Sequence, residues 1–199
     1  MKQERSKRTH ELVLDAAAVE FAAHGYLGAN VQRVAEHTGL TKGAVYGHFG
    51  SKDALAQALI AHLETSVERL VAGVQADSPV AGLSAVREAA LLLADELTSD
   101  VRSGAALRLT VEQALSGTQE PPAFAALRAF VEGALQHAEH DSGHRLPTPL
   151  LAEFVLILLV GAYFIAPTAR EGLSESVRSL WDILLAPASS RLSTWAAEA

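Results

Sequence analysis

An all-α fold is what this 199-residue sequence predicts, and three observations predict it. Apolar residues recur at i, i+3, i+4 spacing along nearly the whole chain, the repeat of a helix with one buried face. No stretch joins β-branched alternation to a hairpin turn, so strands are not expected. Short polar, Gly or Pro breaks interrupt the periodic runs, as helix stops do.

The elements follow in order. Leu12, Val13, Ala16, Ala17, Val19, Glu20 and Phe21 form a stripe that Gly25 closes. Asn30 is a good N-cap for a short helix over 31–37, with Val31, Val34 and Ala35 facing inward. Gly39 allows a tight turn packed by Leu40, Thr41 caps a helix over 42–49, and Ser51 caps the next, which opens with Lys52 and Asp53. Longer helices are expected over 54–74, 83–97, 101–115, 122–140, 149–166 and 173–184. No repeat of fixed period appears.

Composition narrows the class. Apolar residues make up 49% of the chain, enough for a substantial core, and there is no cysteine, which excludes disulfides, thiolate zinc sites and thiol nucleophiles. The charged start MKQERSKRTHELVL lacks the apolar run of a signal peptide. The longest apolar stretch, 154–166, falls short of the roughly 18 residues of a membrane span and reads as a buried helix. A soluble, cytoplasmic protein with no membrane partner is expected.

The net charge of −7 is unevenly divided. Residues 1–52 carry seven Lys/Arg against five Asp/Glu, whereas residues 53–199 carry nine Arg against eighteen Asp/Glu. All four lysines lie at or before Lys52. Such asymmetry points the N-terminal part toward a polyanion. The chain is therefore expected to divide into two parts, 1–52 and 53–199, of which the first meets the polyanion.

Residues 30–49 carry the chemistry. Two short helices joined by a tight turn form a helix-turn-helix, whose second helix enters the major groove of DNA. Thr41 and Lys42 stand at its start, where backbone N–H groups and positive charge favour phosphate. Gly43 lets the backbone approach closely, Tyr46 and His48 offer a hydroxyl and an imidazole, and Lys52 adds a cation at the next helix. Val34, Leu40, Val45 and Phe49 are expected in the core.

The stretch from Gly25-Tyr26 through Asn30–Ala35 and Gly39–Leu55, with Val13-Leu14-Asp15-Ala16-Ala17-Ala18-Val19-Glu20-Phe21 before it, resembles the TetR-family signature. It departs at Ala29, where Thr is common, and at Thr38, where Ala is usual. The resemblance implies a helix-turn-helix DNA-binding domain over 1–52 and a helical ligand-binding and dimerisation domain over 53–199, in a ligand-responsive repressor that binds a near-palindromic operator as a homodimer. It also adds Arg33 to the DNA-facing set. The blocks Ala94–Leu97 and Asp100–Gln113, and the tail from Leu180 to Trp195, resemble the γ-butyrolactone receptor branch. That branch implies a butyrolactone or furan signal and places Phe124 and Leu127 near the pocket, Leu127 standing where members often have Trp.

In the larger segment, Gln113 with Leu109 on one helix face is the leading candidate for holding an effector oxygen, followed by Tyr163 and Trp181, since ligand sites are apolar with few placed polar groups. The helices over 149–166 and 173–184 are expected to form the dimer interface as a four-helix bundle, with Leu156 and Val160 facing the partner. His137, His140 and His144 have partial zinc spacing, but Asp141-Ser142-Gly143 breaks the helix between them, so no metal is expected. No cofactor is expected either. The motifs of hydrolases, phosphate loops and zinc proteases are absent, which argues against an enzyme. A constitutive DNA binder, or a helical small-molecule-binding protein or enzyme without DNA function, is the alternative.

Overall fold

The computed structural model describes residues 2–77, 82–117, 119–142, 148–165 and 172–185, apart from the side chains of 2, 77, 137–142, 184 and 185. Among the described residues there are nine helices and no strand. They are α1 (Lys2–Gly28), α2 (Val31–Thr38), α3 (Lys42–Phe49), α4 (Lys52–Asp77), α5 (Leu83–Ser99), α6 (Val101–Ser116), α7 (Pro122–Ser142), α8 (Thr148–Ile165) and α9 (Leu173–Leu185). The all-α class read from periodicity is what the chain adopts.

Local chemistry explains the first turns. The Asn30 side chain accepts from the Gln32 N–H at 2.9 Å, closing the start of α2. Gly39 ends it in the left-handed region at φ 67°, and the Leu40 N–H returns to the Ala35 carbonyl at 3.0 Å. Ser51 Oγ accepts from the Ala54 N–H at 2.9 Å at the start of α4. Val13, Ala17, Phe21, Val34, Val45 and Phe49 bury together and fix α2 and α3 against α1. The stop expected at Gly25 is a kink: its φ of 66° and ψ of −177° interrupt the helix, and α1 is assigned on to Gly28.

In the remainder, α4 packs on α5, α6 and α7, α7 on α8, and α9 on α5 and α8. α6 lies along α1 as well as α4. Arg102 of α6 reaches Glu11 and Asp15 of α1, each at 2.6 Å.

α8 is two-faced. Ala152, Val155, Leu159 and Tyr163 are buried, whereas Leu150 and Ile157 are 64% and 63% exposed and Phe154, Phe164 and Ile165 also face outward. Leu180 and Ile183 of α9 are exposed too. Leu156 and Val160 are half-buried and line a small apolar cavity, while Ile157 between them is the more exposed residue. By length and composition α8 could cross a membrane, but in the fold it packs against α7 and α9.

Candidate nucleic-acid interface and ligand cavities

α3 is held from behind and open in front. Val45 and Phe49 are buried beneath it, and the His10 ring of α1 stacks on Phe49 with centroids 4.0 Å apart. Thr41 Oγ1 accepts from the Ala44 N–H at 3.2 Å, so the hydroxyl caps the helix. Lys42, Gly43 and Gly47 are exposed, while Tyr46 and His48 are half-buried. A Cβ on Gly43 would approach only Thr41 Oγ1, at 4.0 Å, so nothing inside the protein demands glycine there. The Lys42 ammonium lies 5.9 Å from the Tyr46 ring and makes no ion pair among the described residues.

The other two cations of the expected set are engaged within the protein. Arg33 pairs with Glu20 at 2.5 Å and donates to the Gly28 carbonyl at 2.9 Å. Glu20 is 4% exposed and also accepts from the Asn30 N–H at 2.8 Å. Burial pushes the Glu20 carboxyl up, but the hydrogen bonds from Arg33 and Asn30 and the charges of Arg33 and His24 outweigh it and hold the group below its ordinary range. Lys52 Nζ donates to the Ala29 carbonyl at 2.6 Å and sits 4.9 Å from the Tyr26 ring. Both cations tie the α1–α2 corner together, a placement that sequence spacing did not reveal.

The expected effector residues divide between two places. Leu109 and Gln113 line an open cleft of about 590 Å³ between the end of α1, the first turns of α4 and the last turns of α6, together with Tyr26, Leu27, Asp53 and Ile60. Leu109 is buried, but Gln113 is exposed at the mouth of the cleft, not inward-facing. Phe124 and Leu127 instead line a wholly apolar cavity of about 20 Å³ with Leu63, Leu97, Leu107 and Leu156. Tyr163 and Trp181 are buried and line neither. A Cβ on Gly104 would come within 2.6 Å of the Tyr163 hydroxyl, so the small residue admits that ring. The Trp181 indole N–H has no hydrogen-bond partner among the described residues.

Two groups escaped the sequence reading. Glu112 accepts from the Tyr26 N–H at 2.7 Å and from Arg108 Nε at 3.1 Å, and Arg108 also donates to the Ala22 carbonyl at 2.9 Å. This fastens α6 to the kink in α1; only the i, i+4 spacing of Arg108 and Glu112 hinted at it. His62, Glu96 and Asp100 converge from α4, α5 and the start of α6. His62 meets Asp100 at 2.6 Å, Ser66 and Arg69 donate to Glu96 at 2.8 and 3.1 Å, and Ser103 donates to Asp100 at 2.9 Å. Burial raises the Asp100 carboxyl, and its hydrogen bonds from His62, the Arg102 N–H and Ser103 bring it below the ordinary range. These carboxylates already have donors, so the cluster joins three helices. His137 and His140 lie in α7 with their side chains outside what is described, and His144 lies outside the described residues.

Residues 13–59 match the family described as bacterial regulatory proteins, tetR family. The A-factor receptor protein of Streptomyces griseus is 40% identical over 67 residues, 34% of this chain and 24% of that protein. The chain thus spans about a quarter of that relative's length. The solved structure of the TetR family protein CprB from Streptomyces coelicolor, in complex with its operator sequence, is similar over 98% of this chain and 97% of that one, with TM-score 0.79 and 25% identity. A γ-butyrolactone receptor structure, described as an ArpA-like protein, shares the fold over 94% of this chain and 92% of that one, with TM-score 0.75 and 24% identity. Residues 13–59 therefore match the tetR family of bacterial regulatory proteins, and the chain has a TetR-like fold with an N-terminal helix-turn-helix and a larger helical part.

Proposed function

We propose that the protein is a ligand-responsive transcriptional repressor that binds a near-palindromic duplex operator as a homodimer and is not an enzyme. The observation that carries this is the presentation of α3. Its apolar side is clamped by α1 and α2, while the Thr41–Lys42–Gly43 start stands exposed, with Tyr46 and His48 half-buried on the same helix. An exposed helix start with a free cation and no side chain at its second position fits a phosphate and the edge of a groove. Thr41, Lys42, Gly43, Tyr46 and His48 are the contact set; Arg33 and Lys52 hold the corner behind them.

One α3 reads only a few base pairs, and a two-fold pair doubles the contact with heads roughly 34–36 Å apart. The exposed apolar stripe of α8, with Leu180 and Ile183 of α9, supplies a self-complementary surface for that pairing. The effector is a small, largely apolar molecule with one or two oxygens, of the butyrolactone or furan kind, lodged between α4, α7 and α8. The cavity beside Phe124 and Leu127 is far smaller than such a molecule, so entry has to spread those helices. Because α4 begins at the reading head, a ligand that prefers the spread state disfavours the DNA-binding one. A coupling of about 1–3 kcal/mol lowers operator affinity roughly 5- to 150-fold.

The test is a gel-shift titration on a random duplex library. Wild type retains a bound fraction, and a variant with Lys42→Ala and Tyr46→Ala loses it at unchanged melting temperature. Equal retention by the two proteins refutes the assignment of α3.

A further inference from the structure

We propose that the open cleft between the ends of α1 and α6 and the start of α4 is a second binding site, selective for an amphipathic monocation such as an arylalkyl amine. Its floor is apolar, made by Ala56, Ile60 and Leu109, and its rim carries Leu27 and Leu115, which are 93% and 84% exposed. Two leucines so bare beside one concavity leave apolar surface for an apolar arm to cover. The lining holds two carboxylates, Asp53 and Glu112, neither Lys nor Arg, and one imidazole, His24, whose Nε2 lies 3.8 Å from the Glu20 carboxylate. Glu112 is already engaged by Tyr26 and Arg108. Asp53 is exposed and has no ion-pair partner among the described residues, so it offers a free negative charge over an apolar floor. Gln57, Gln113 and Ser116 add neutral hydrogen-bonding groups. A volume of about 590 Å³ falls within the ordinary range of small-molecule sites.

The chemistry separates this cleft from the cavity beside Phe124. That cavity has no polar lining and suits an uncharged molecule, whereas the cleft recognises a charge and needs no spreading of helices. A cation held by Asp53 of α4 with its arm against Leu109 and Leu115 of α6 bridges the two helices that set the head against the rest of the chain. An effect on operator affinity rests on the repressor reading above; binding in the cleft does not.

The experiment is isothermal titration of the full chain with 4-phenylbutylamine and with its uncharged analogue 4-phenylbutanol. The amine is expected to bind one site per chain, about fivefold tighter than the alcohol, the size of one exposed ion pair. Asp53→Asn should remove that preference and leave the alcohol unchanged. Leu115→Asn should weaken both. Leu127→Phe, whose larger ring takes up the inner cavity, should alter neither. Asp53 and Leu115 are exposed, and a thermal melt of each variant verifies the fold. Equal binding of amine and alcohol to wild type, an unaltered preference in Asp53→Asn, or loss of amine binding in a folded Leu127→Phe overturns the site.

Discussion

Gly25→Ala tests the joint between α1 and α6. At φ 66° and ψ −177° the backbone occupies a region that only glycine enters readily, so an alanine there costs about 1–3 kcal/mol before any contact is considered. Its Cβ would also lie 2.2 Å from Glu112 Oε1 and 3.1 Å from Arg108 Nε. Those atoms end flexible side chains, but the Tyr26 N–H at 2.7 Å and the Arg108 pairing hold them in place. Moving Glu112 forfeits a hydrogen bond to a charged group, about 1.5–3 kcal/mol. The expected loss is about 3–5 kcal/mol, a large share of the roughly 5–15 kcal/mol that a domain has. Urea unfolding followed by circular dichroism measures it. Gly73→Ala is the control, because a Cβ there meets nothing within 4 Å and helix propensity gains about 0.5–1 kcal/mol. Glu112→Ala removes the clashing carboxylate, so the double variant should lose less than the two single losses combined. Gly25→Ala at wild-type stability, or strict additivity with Glu112→Ala, refutes the reasoning.

Other expectations follow from the same contacts. Lys42→Ala should leave urea stability unchanged and reduce the salt slope of DNA binding by about one unit, whereas Lys52→Ala should lose about 1–2 kcal/mol with its bond to the Ala29 carbonyl; equilibrium unfolding and salt titrations of both variants separate the roles. Because the Glu20 carboxyl is held below its ordinary range, its contribution is fully present above the unfolded value of about 4.3 and is lost as pH falls through the lower folded value. Urea midpoints from neutral to acid pH should therefore fall less steeply for Glu20→Gln, measured against that variant's own neutral-pH value. Ile157→Glu and Ile183→Glu should yield folded monomers by sedimentation, while Leu156→Glu should lose stability through the inner cavity.

What the sequence disclosed follows a physical divide. Caps act over three or four residues, so Asn30, Gly39, Thr41 and Ser51 marked the boundaries of α2, α3 and α4 correctly. Periodicity disclosed the buried residues Val13, Ala17 and Phe21 of α1 and Val31, Val34 and Ala35 of α2, but not which neighbour meets each face. Leu12 and Val19 of the expected stripe are each 48% exposed, and Gln113 was read as inward although it is exposed at a cleft mouth. The partners of Arg33 and Lys52 lie across the α1–α2 corner, 13 residues away for Glu20 and 23 for Ala29. Only the folded corner brings them together. The same holds for Glu112 against Tyr26, and for the His62, Glu96 and Asp100 joint, whose members sit on separate helices or their ends.

The proposed repressor reads duplex DNA through α3 in symmetric pairs. The most direct test is repeated selection of bound duplexes from a random pool with the full chain, followed by sequencing. The expected result is an enriched inverted repeat whose half-site centres lie about one helical turn apart, or a multiple of it, with two chains per duplex by mass photometry and no enrichment by the Lys42→Ala, Tyr46→Ala variant. A pool without an enriched sequence, or a single unrepeated half-site occupied by one chain, would contradict it.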